Sequence, residues 1–252
     1  MNQEESSPQT ADLRELAYSN YVTSHLRPPG NKVYDSKITW FPVLAHVPAN
    51  RNSKILDLGC GDGSLVEKLS TQGYSNVMGI DTSTEQINIA ISRGLGGVEV
   101  ADALDFLRKG GANQWDVILM VDVLEHFSTD EGLVLFEAVQ FALSPGGTVI
   151  AQTPNSSSPF FGHYAYGDLT HRSVYNERSV KQLSHLVGLQ PVAVHEVSVA
   201  PKGGISRGLR RMAFRVVKKI YQFALSAENG PQMDAIVTQN LILVAKKNQR
   251  RQ

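Results

Sequence analysis

The middle of the chain alternates two hydrophobic periods. Short, nearly continuous apolar runs at Ile55–Leu58, Asn76–Ile80 and Val98–Val100, a run opening at Trp115, and one at Gly147–Ala151 read as buried strands. Between them, apolar residues recur at helical spacing: Leu65, Val66 and Leu69, then Thr84–Ser92, Asp105–Lys109 and Asp130–Leu143. A further helix over Glu177–Val187 stops at Gly188, and strands follow at Val192–Val199 and Leu241–Ala245. Strand and helix in alternation predict an α/β domain built on a doubly wound parallel sheet. Ser144-Pro-Gly-Gly147 predicts a turn before the fifth strand, and Ser156–Gly167 is a polar, irregular loop. That loop leaves the carboxyl edge of the sheet, where open α/β folds bind ligands.

The flanks have a different pattern. Residues 1 to about 10 read as disordered, and amphipathic helices are expected over Asp12–His25 and Ser36–His46, the second interrupted by Pro42. Tyr18, Tyr21, Tyr34 and Lys37 are on or near these helices, mainly as packing residues. Residues 1–50 are thus expected to form a helical cap, and 51–252 the main domain, with an acceptor loop at 154–176 and a helical insertion at 201–238. The insertion carries a basic amphipathic helix over 206–225, with Leu209, Met212, Ala213, Val216, Val217, Ile220 and Ala224 on one stripe. That stripe is expected to pack on the domain or on a twin subunit, with contact to a membrane surface as the alternative. The tail from Lys246 is basic.

Composition narrows the class. The 252 residues can bury a substantial core, and 24 basic against 24 acidic side chains give no global field for nucleic acid. The single cysteine, Cys60, excludes an intrachain disulfide framework. No run is apolar enough to span a bilayer, and the polar, acidic N-terminus is unlike a signal peptide, so a cytoplasmic protein is expected.

The informative chemistry starts at Lys54-Ile-Leu-Asp-Leu-Gly-Cys-Gly-Asp-Gly-Ser64. A strand runs into Gly59, Gly61 and Gly63 and then into a helix N-terminus, so backbone N–H groups can meet a ligand there. The spacing departs from a dinucleotide fingerprint, because Ser64 stands where the third glycine belongs. Asp57 would repel a phosphate but could hold an ammonium group, and Asp81 ends the second strand at the spacing expected for a ribose-binding carboxylate. A ligand with a ribose, an amino group and no phosphate fits best.

Leu56-Asp-Leu-Gly-Cys-Gly-Asp-Gly63 with Gly79-Ile-Asp81 resembles motifs I and II of the class I S-adenosylmethionine-dependent methyltransferases. Asp122-Val-Leu-Glu-His126 and Leu143-Ser-Pro-Gly-Gly-Thr-Val-Ile150 resemble later segments of the branch that includes the ubiquinone-biosynthesis O-methyltransferases. The resemblance implies a Rossmann-like, mostly parallel seven-stranded sheet ending in an antiparallel hairpin, and S-adenosyl-L-methionine as cofactor. It implies that Asp57, Gly59, Cys60, Gly61 and Gly63 hold the methionine part, Asp81 and Thr82 the ribose, and Asp102 and Ala103 the adenine. Val121 and Asp122 then border the cofactor from the fourth strand. Asp102 also reads as a helix N-cap, compatibly with that role.

Methyl transfer to an unactivated hydroxyl needs in-line approach and a base. Candidates are His171, paired with Asp168 three residues earlier, and His126 with Glu125. Asn155, His163, Tyr164, Tyr166 and Arg172 are candidate acceptor contacts. Two acids and a histidine at the fourth strand could bind a metal, but their spacing matches no known zinc or EF-hand pattern, and no metal is expected. Asp168-x-Thr-His-Arg172 resembles small glycan-modifying methyltransferases, which points to a hydroxyl of a sugar or glycan-linked small molecule. The alternatives are a phenolic acceptor of quinone type and, in another class, a non-catalytic cofactor-binding protein.

Overall fold

The computed structural model describes residues 41–197, 205–231 and 234–249. The expected helix over 12–25, the first five residues of that over 36–46, and Tyr18, Tyr21, Tyr34 and Lys37 lie outside the described residues; the described part of the second is a short 3-10 turn, Val43–His46.

The core is one seven-stranded sheet in the order β3-β2-β1-β4-β5-β7-β6. Its strands are β1 Lys54–Leu58, β2 Asn76–Asp81, β3 Val98–Val100, β4 Trp115–Val121, β5 Leu143–Pro154, β6 Leu189–Glu196 and β7 Asn240–Lys247. The helices are α1 Ser64–Thr71, α2 Thr84–Ser92, α3 Ala103–Gly110, α4 Thr129–Ala142, the short α5 Phe161–Ala165, α6 Glu177–Leu186 and α7 Ile205–Asn229. The first five strands are mutually parallel, and β7 runs antiparallel between β5 and β6. This is the Rossmann-like sheet with an antiparallel C-terminal pair that the motifs imply.

Successive residues of β1 point to opposite faces, and both faces are covered. Leu56 and Leu58 join Phe136 and Val139 of α4 in one apolar layer. Ile55 joins Leu65 and Leu69 of α1 and Tyr74 in the other. A strand buried on both sides needs apolar residues at every position, which is why β1 reads as a continuous run and not as an alternation. Asp57 is the exception, buried in the middle of it at 2% exposure. Strand order reverses between β1 and β4, so the crevice at their carboxyl ends is the natural ligand position.

Several boundaries differ from the sequence expectation. Ser144–Gly147 is part of β5, not a turn outside it: pairing with β4 jumps from Trp115↔Leu143 to Val117↔Thr148, so the glycines form a bulge. β6 starts at Leu189 and not at Val192, because a register shift between Pro191 and Ala193 admits the proline to this edge strand. α3 starts at Ala103, its Asp102 cap accepting from two backbone N–H groups. α4 carries an unexpected capping box between Ser128 and Glu131.

α7 differs from one of the expected arrangements, since its stripe does not pack on the domain: Leu209, Met212, Val216, Ile220 and Phe223 are turned outward, each between 54% and 69% exposed. The polar side does the fastening: Lys218 pairs with Glu196, and Gln222 Nε2 donates to the carbonyl of Ala235 at 2.9 Å.

Candidate active site

The glycine turn is packed on two sides and open on the third. A Cβ at Gly59 would meet Val123 Cγ2 at 2.5 Å, and one at Gly63 would meet Leu95 Cδ2 at 2.4 Å, while one at Gly61 would meet nothing within 4 Å. All three have positive φ, between 53° and 73°, so the turn is closed to most L side chains on backbone grounds as well. It is tied to β2, because Gly59 N–H and Cys60 N–H both donate to the Ile80 carbonyl, at 2.8 and 2.9 Å. Gly61 N–H donates to Asp81 Oδ2 and Ser83 N–H to Asp81 Oδ1, each at 2.8 Å.

Asp81 is thereby held by two backbone donors beside the open face of the turn. Burial raises its pKa and the two N–H groups pull it back. The Asp57 carboxyl accepts no hydrogen bond from any described residue, and it is pushed up to about 8, first by burial and then by the charge of Asp81. Burial and the two aspartates drive the Cys60 thiol far upward, so it is a small packing residue and not a nucleophile. Thr82 is exposed at the end of β2. Asp102 uses Oδ1 to cap α3, accepting from Leu104 and Asp105 N–H at 2.9 and 3.0 Å, with Ala103 beside it.

At the end of β4, below Val121, Asp122 takes a left-handed φ of 55°. Its Oδ1 accepts from Gln152 Nε2 at 3.1 Å and Asn240 Nδ2 at 3.4 Å. Burial pushes its carboxyl up to about 6 against the Gln152 bond. Glu125 is 1% exposed; Oε2 accepts from Thr153 Oγ1 at 3.0 Å, while Oε1 is buried with no hydrogen-bond partner among the described residues. Burial, then the charges of Asp122 and Asp168, hold its pKa well above the ordinary value.

The histidines are organised differently from the expected pairing. Asp168 meets His171 through the backbone, the His171 N–H donating to the Asp168 carbonyl at 3.3 Å, while the carboxylate engages Thr170. Its Oδ1 accepts from Thr170 N–H at 2.8 Å and from Thr170 Oγ1 at 2.6 Å, an Asx-type turn that captures the carboxylate two residues on. Thr170 Oγ1 also lies 2.8 Å from His126 Nδ1. A hydroxyl has one proton; with that proton on Asp168, the Thr170 oxygen can only accept, so His126 carries its proton on Nδ1 and Nε2 is the basic nitrogen. His171 Nδ1 lies 3.2 Å from the Ala165 carbonyl, which can only accept, so its basic nitrogen is also Nε2. The two rings meet edge to face, with centroids 4.8 Å apart. One ligand atom each of Glu125, His126 and His171 lie within 4.8 Å of one another, a donor set that a divalent cation could use.

The acceptor loop is anchored by residues expected to touch substrate. Asn155 is 1% exposed, and its amide is used up within the protein: Nδ2 donates to the Ile236 and Thr238 carbonyls, and Oδ1 accepts from Ser157 N–H. Arg172 pairs with Glu131, whose carboxyl it draws down to about 2, and its N–H donates to the Glu125 carbonyl at 2.8 Å. His163 and Tyr164 pack edge to face on α5, their ring centroids 5.0 Å apart. Tyr166 is 78% exposed, and with Phe160 and Leu169 it makes an apolar lip on the loop. Sequence reasoning missed Thr170, Gln152 and Thr153. Polar residues ending the apolar run of β5 were the available signal for the last two.

A family model described as a methyltransferase domain matches residues 37–194. A ubiquinone biosynthesis O-methyltransferase of Burkholderia ambifaria is 33% identical over 131 residues, 50% of this chain and 54% of the relative. The chain thus spans about half the length of the curated relatives it matches. Among solved structures, a SAM-dependent methyltransferase from Archaeoglobus fulgidus superimposes with a TM-score of 0.62 at 17% identity, over 84% of this chain and 93% of that one. Haemonchus contortus phosphoethanolamine N-methyltransferase 2, in complex with S-adenosyl-L-methionine, gives a TM-score of 0.58 at 18% identity over 93% and 56%.

The Thr170 bridge makes a spectroscopic prediction. Nitrogen-15 NMR of the imidazoles should show His126 as the Nδ1–H tautomer, and Thr170→Val should shift it toward the Nε2–H form while Thr170→Ser preserves it. An unchanged His126 spectrum in Thr170→Val would remove the bridge.

Proposed function

The chain belongs to the methyltransferase domain family, with S-adenosylmethionine as its cofactor, and from that premise we propose that it methylates a phenolic hydroxyl of a lipophilic, quinone-type acceptor. The observation that carries the proposal is the Asp168–Thr170–His126 relay at the carboxyl end of β4, in which Thr170 and His126 are buried.

The residues at the switch point fit the cofactor. The space over Gly61 is open, Asp57 is a buried carboxyl without a donor among the described residues, and Asp81 sits ready at the end of β2. In this reading Asp57 takes the cofactor's amino group, Asp81 and Thr82 its ribose, and the unspent Oδ2 of Asp102 its adenine. The bound cofactor supplies a methyl group on a cationic sulfonium, an electrophile that needs alignment more than activation. His126 Nε2 takes the acceptor's hydroxyl proton, and Thr170 and Asp168 hold the ring and stabilise the imidazolium that results. His171 stands against the same ring and completes the wall.

A phenol, with a pKa of about 10, lies within reach of a neutral imidazole, whereas an aliphatic sugar hydroxyl lies much further off. The exposed lip of Phe160, Tyr166 and Leu169 suits an apolar ring or tail. The relatives named for ubiquinone biosynthesis favour the same alternative over the sugar acceptor expected from the loop sequence. Transfer of labelled methyl to a panel of catechols, other phenols and free sugars tests this: methylated phenols with unmodified sugars support it, and sugar products alone overturn it.

The bare Oε1 of Glu125 favours a second reading, in which Glu125, His126 and His171 hold a divalent cation that polarises the acceptor oxygen. Under the base reading, turnover survives exhaustive chelation. Loss of turnover on chelation, restored by magnesium or manganese, would select the cation instead.

Cofactor binding should also move a proton. Asp57 is largely protonated at neutral pH and ionises when it meets an ammonium group, so binding tightens as pH rises toward about 8 and then levels off. Calorimetric titration with S-adenosylhomocysteine near neutral pH, in buffers of differing ionisation enthalpy, should report release of up to about one proton, abolished in Asp57→Asn. Identical enthalpies in all buffers would place the ammonium elsewhere.

A further inference from the structure

We propose that α7 docks the protein on the surface of an anionic lipid bilayer, through the apolar stripe that it turns away from the sheet. Leu209, Met212, Val216, Ile220 and Phe223 follow one another at three- and four-residue spacing, so they form one continuous outward face. An apolar face of this size on the outside of a soluble fold marks a place where something else covers it. The inward side of the helix is already committed to the protein through Lys218–Glu196 and Gln222–Ala235, so the helix holds this orientation without help from the stripe.

The charge around the stripe selects the occupant. Residues 205–229 contain six Lys or Arg and one acid, Glu228, in a chain whose total charge is balanced. Arg215 and Lys219 are exposed along one margin of the stripe. In an isologous pairing of two copies these cations would be brought together with few acids to meet them. Lipid headgroups of negative charge meet them directly, while the apolar side chains enter the acyl boundary. No helix among the described residues is long and apolar enough to cross a membrane, so α7 lies on the surface and does not span it.

The position of α7 gives docking a consequence. β6 runs parallel to β5 and ends at the same edge as the glycine turn, and β7 starts there with Asn240 against Asp122. The return segment from α7 is bonded at Ile236 and Thr238 to Asn155, the residue that follows β5. The chain that leaves α7 is thus fastened directly to the start of the acceptor loop. Docking through this face is independent of which acceptor the site takes.

The test is sedimentation of the full chain with vesicles of phosphatidylcholine alone or mixed with phosphatidylglycerol. Binding to the mixed vesicles, weakened by added salt, is expected. Ile220→Glu with Phe223→Glu, and separately Arg215→Glu with Lys219→Glu, should each lower the bound fraction about tenfold or more. Calorimetric binding of S-adenosylhomocysteine should stay unchanged in both variants and certify their fold. Should the first pair fail that check, the charge pair decides alone. Absence of sedimentation with either vesicle at low salt would overturn the proposal, as would binding that neither pair disturbs. A dimer in analytical ultracentrifugation that the first pair dissolves, without vesicle binding, would assign the stripe to a second copy instead.

Discussion

Thr170 has one hydroxyl proton, and the direction in which it is given sets the chemistry of the site. Given to Asp168, it leaves an oxygen that can only accept, and the nearest donor is His126 Nδ1. The imidazole of a strand-end turn is thereby fixed by a loop that begins some thirty residues later in the chain. Backbone bonds hold the two parts in register, since the Glu125 carbonyl accepts from Arg172 and Ser173 N–H at 2.8 and 3.2 Å. The relay is thus a property of the fold and not of either segment alone.

Around it the protein concentrates buried acids at the carboxyl ends of β1, β2 and β4. Asp57, Asp81, Asp122 and Glu125 all have raised pKa values, and burial is the first cause in each case. Ionised carboxylates so placed cost stability unless a cation or a row of donors meets them. Asp81 has its donors in Gly61 and Ser83, and Asp122 has Gln152. The Asp57 carboxyl and one oxygen of Glu125 have none among the described residues, so these two acids are the ones left for a partner outside the chain. In the proposed function the cationic cofactor would answer the first, and an acceptor hydroxyl or a divalent cation the second.

What could be read from the sequence was what is local. The glycine turn, Asp81 at the end of β2 and the order of strands and helices rest on spacings within a few residues or on a repeated period, and the structure has them where they were expected. The Asp168–His171 pair failed for a physical reason: an aspartate in a loop is captured by the nearest backbone N–H and hydroxyl, here both from Thr170, before a side chain three residues on can compete. The orientation of α7 was not legible either. Its amphipathic pattern is clear, but which side faces inward is decided by Glu196 and Ala235, the first nine residues before the helix and the second six after it. Asn155 looked like a loop residue open to substrate, and only the tertiary fold shows its amide used up by Ile236 and Thr238.

The most direct measurement of the central claim is kcat for methyl transfer to a phenolic acceptor in Thr170→Ser and Thr170→Val. The account predicts near-normal turnover in the serine variant, where the hydroxyl remains. In the valine variant it predicts a fall of about a hundredfold or more, the scale of a positioned general base, with the KM for S-adenosylmethionine unchanged. Normal turnover in Thr170→Val would contradict it, because His126 would then need no relay to serve the reaction.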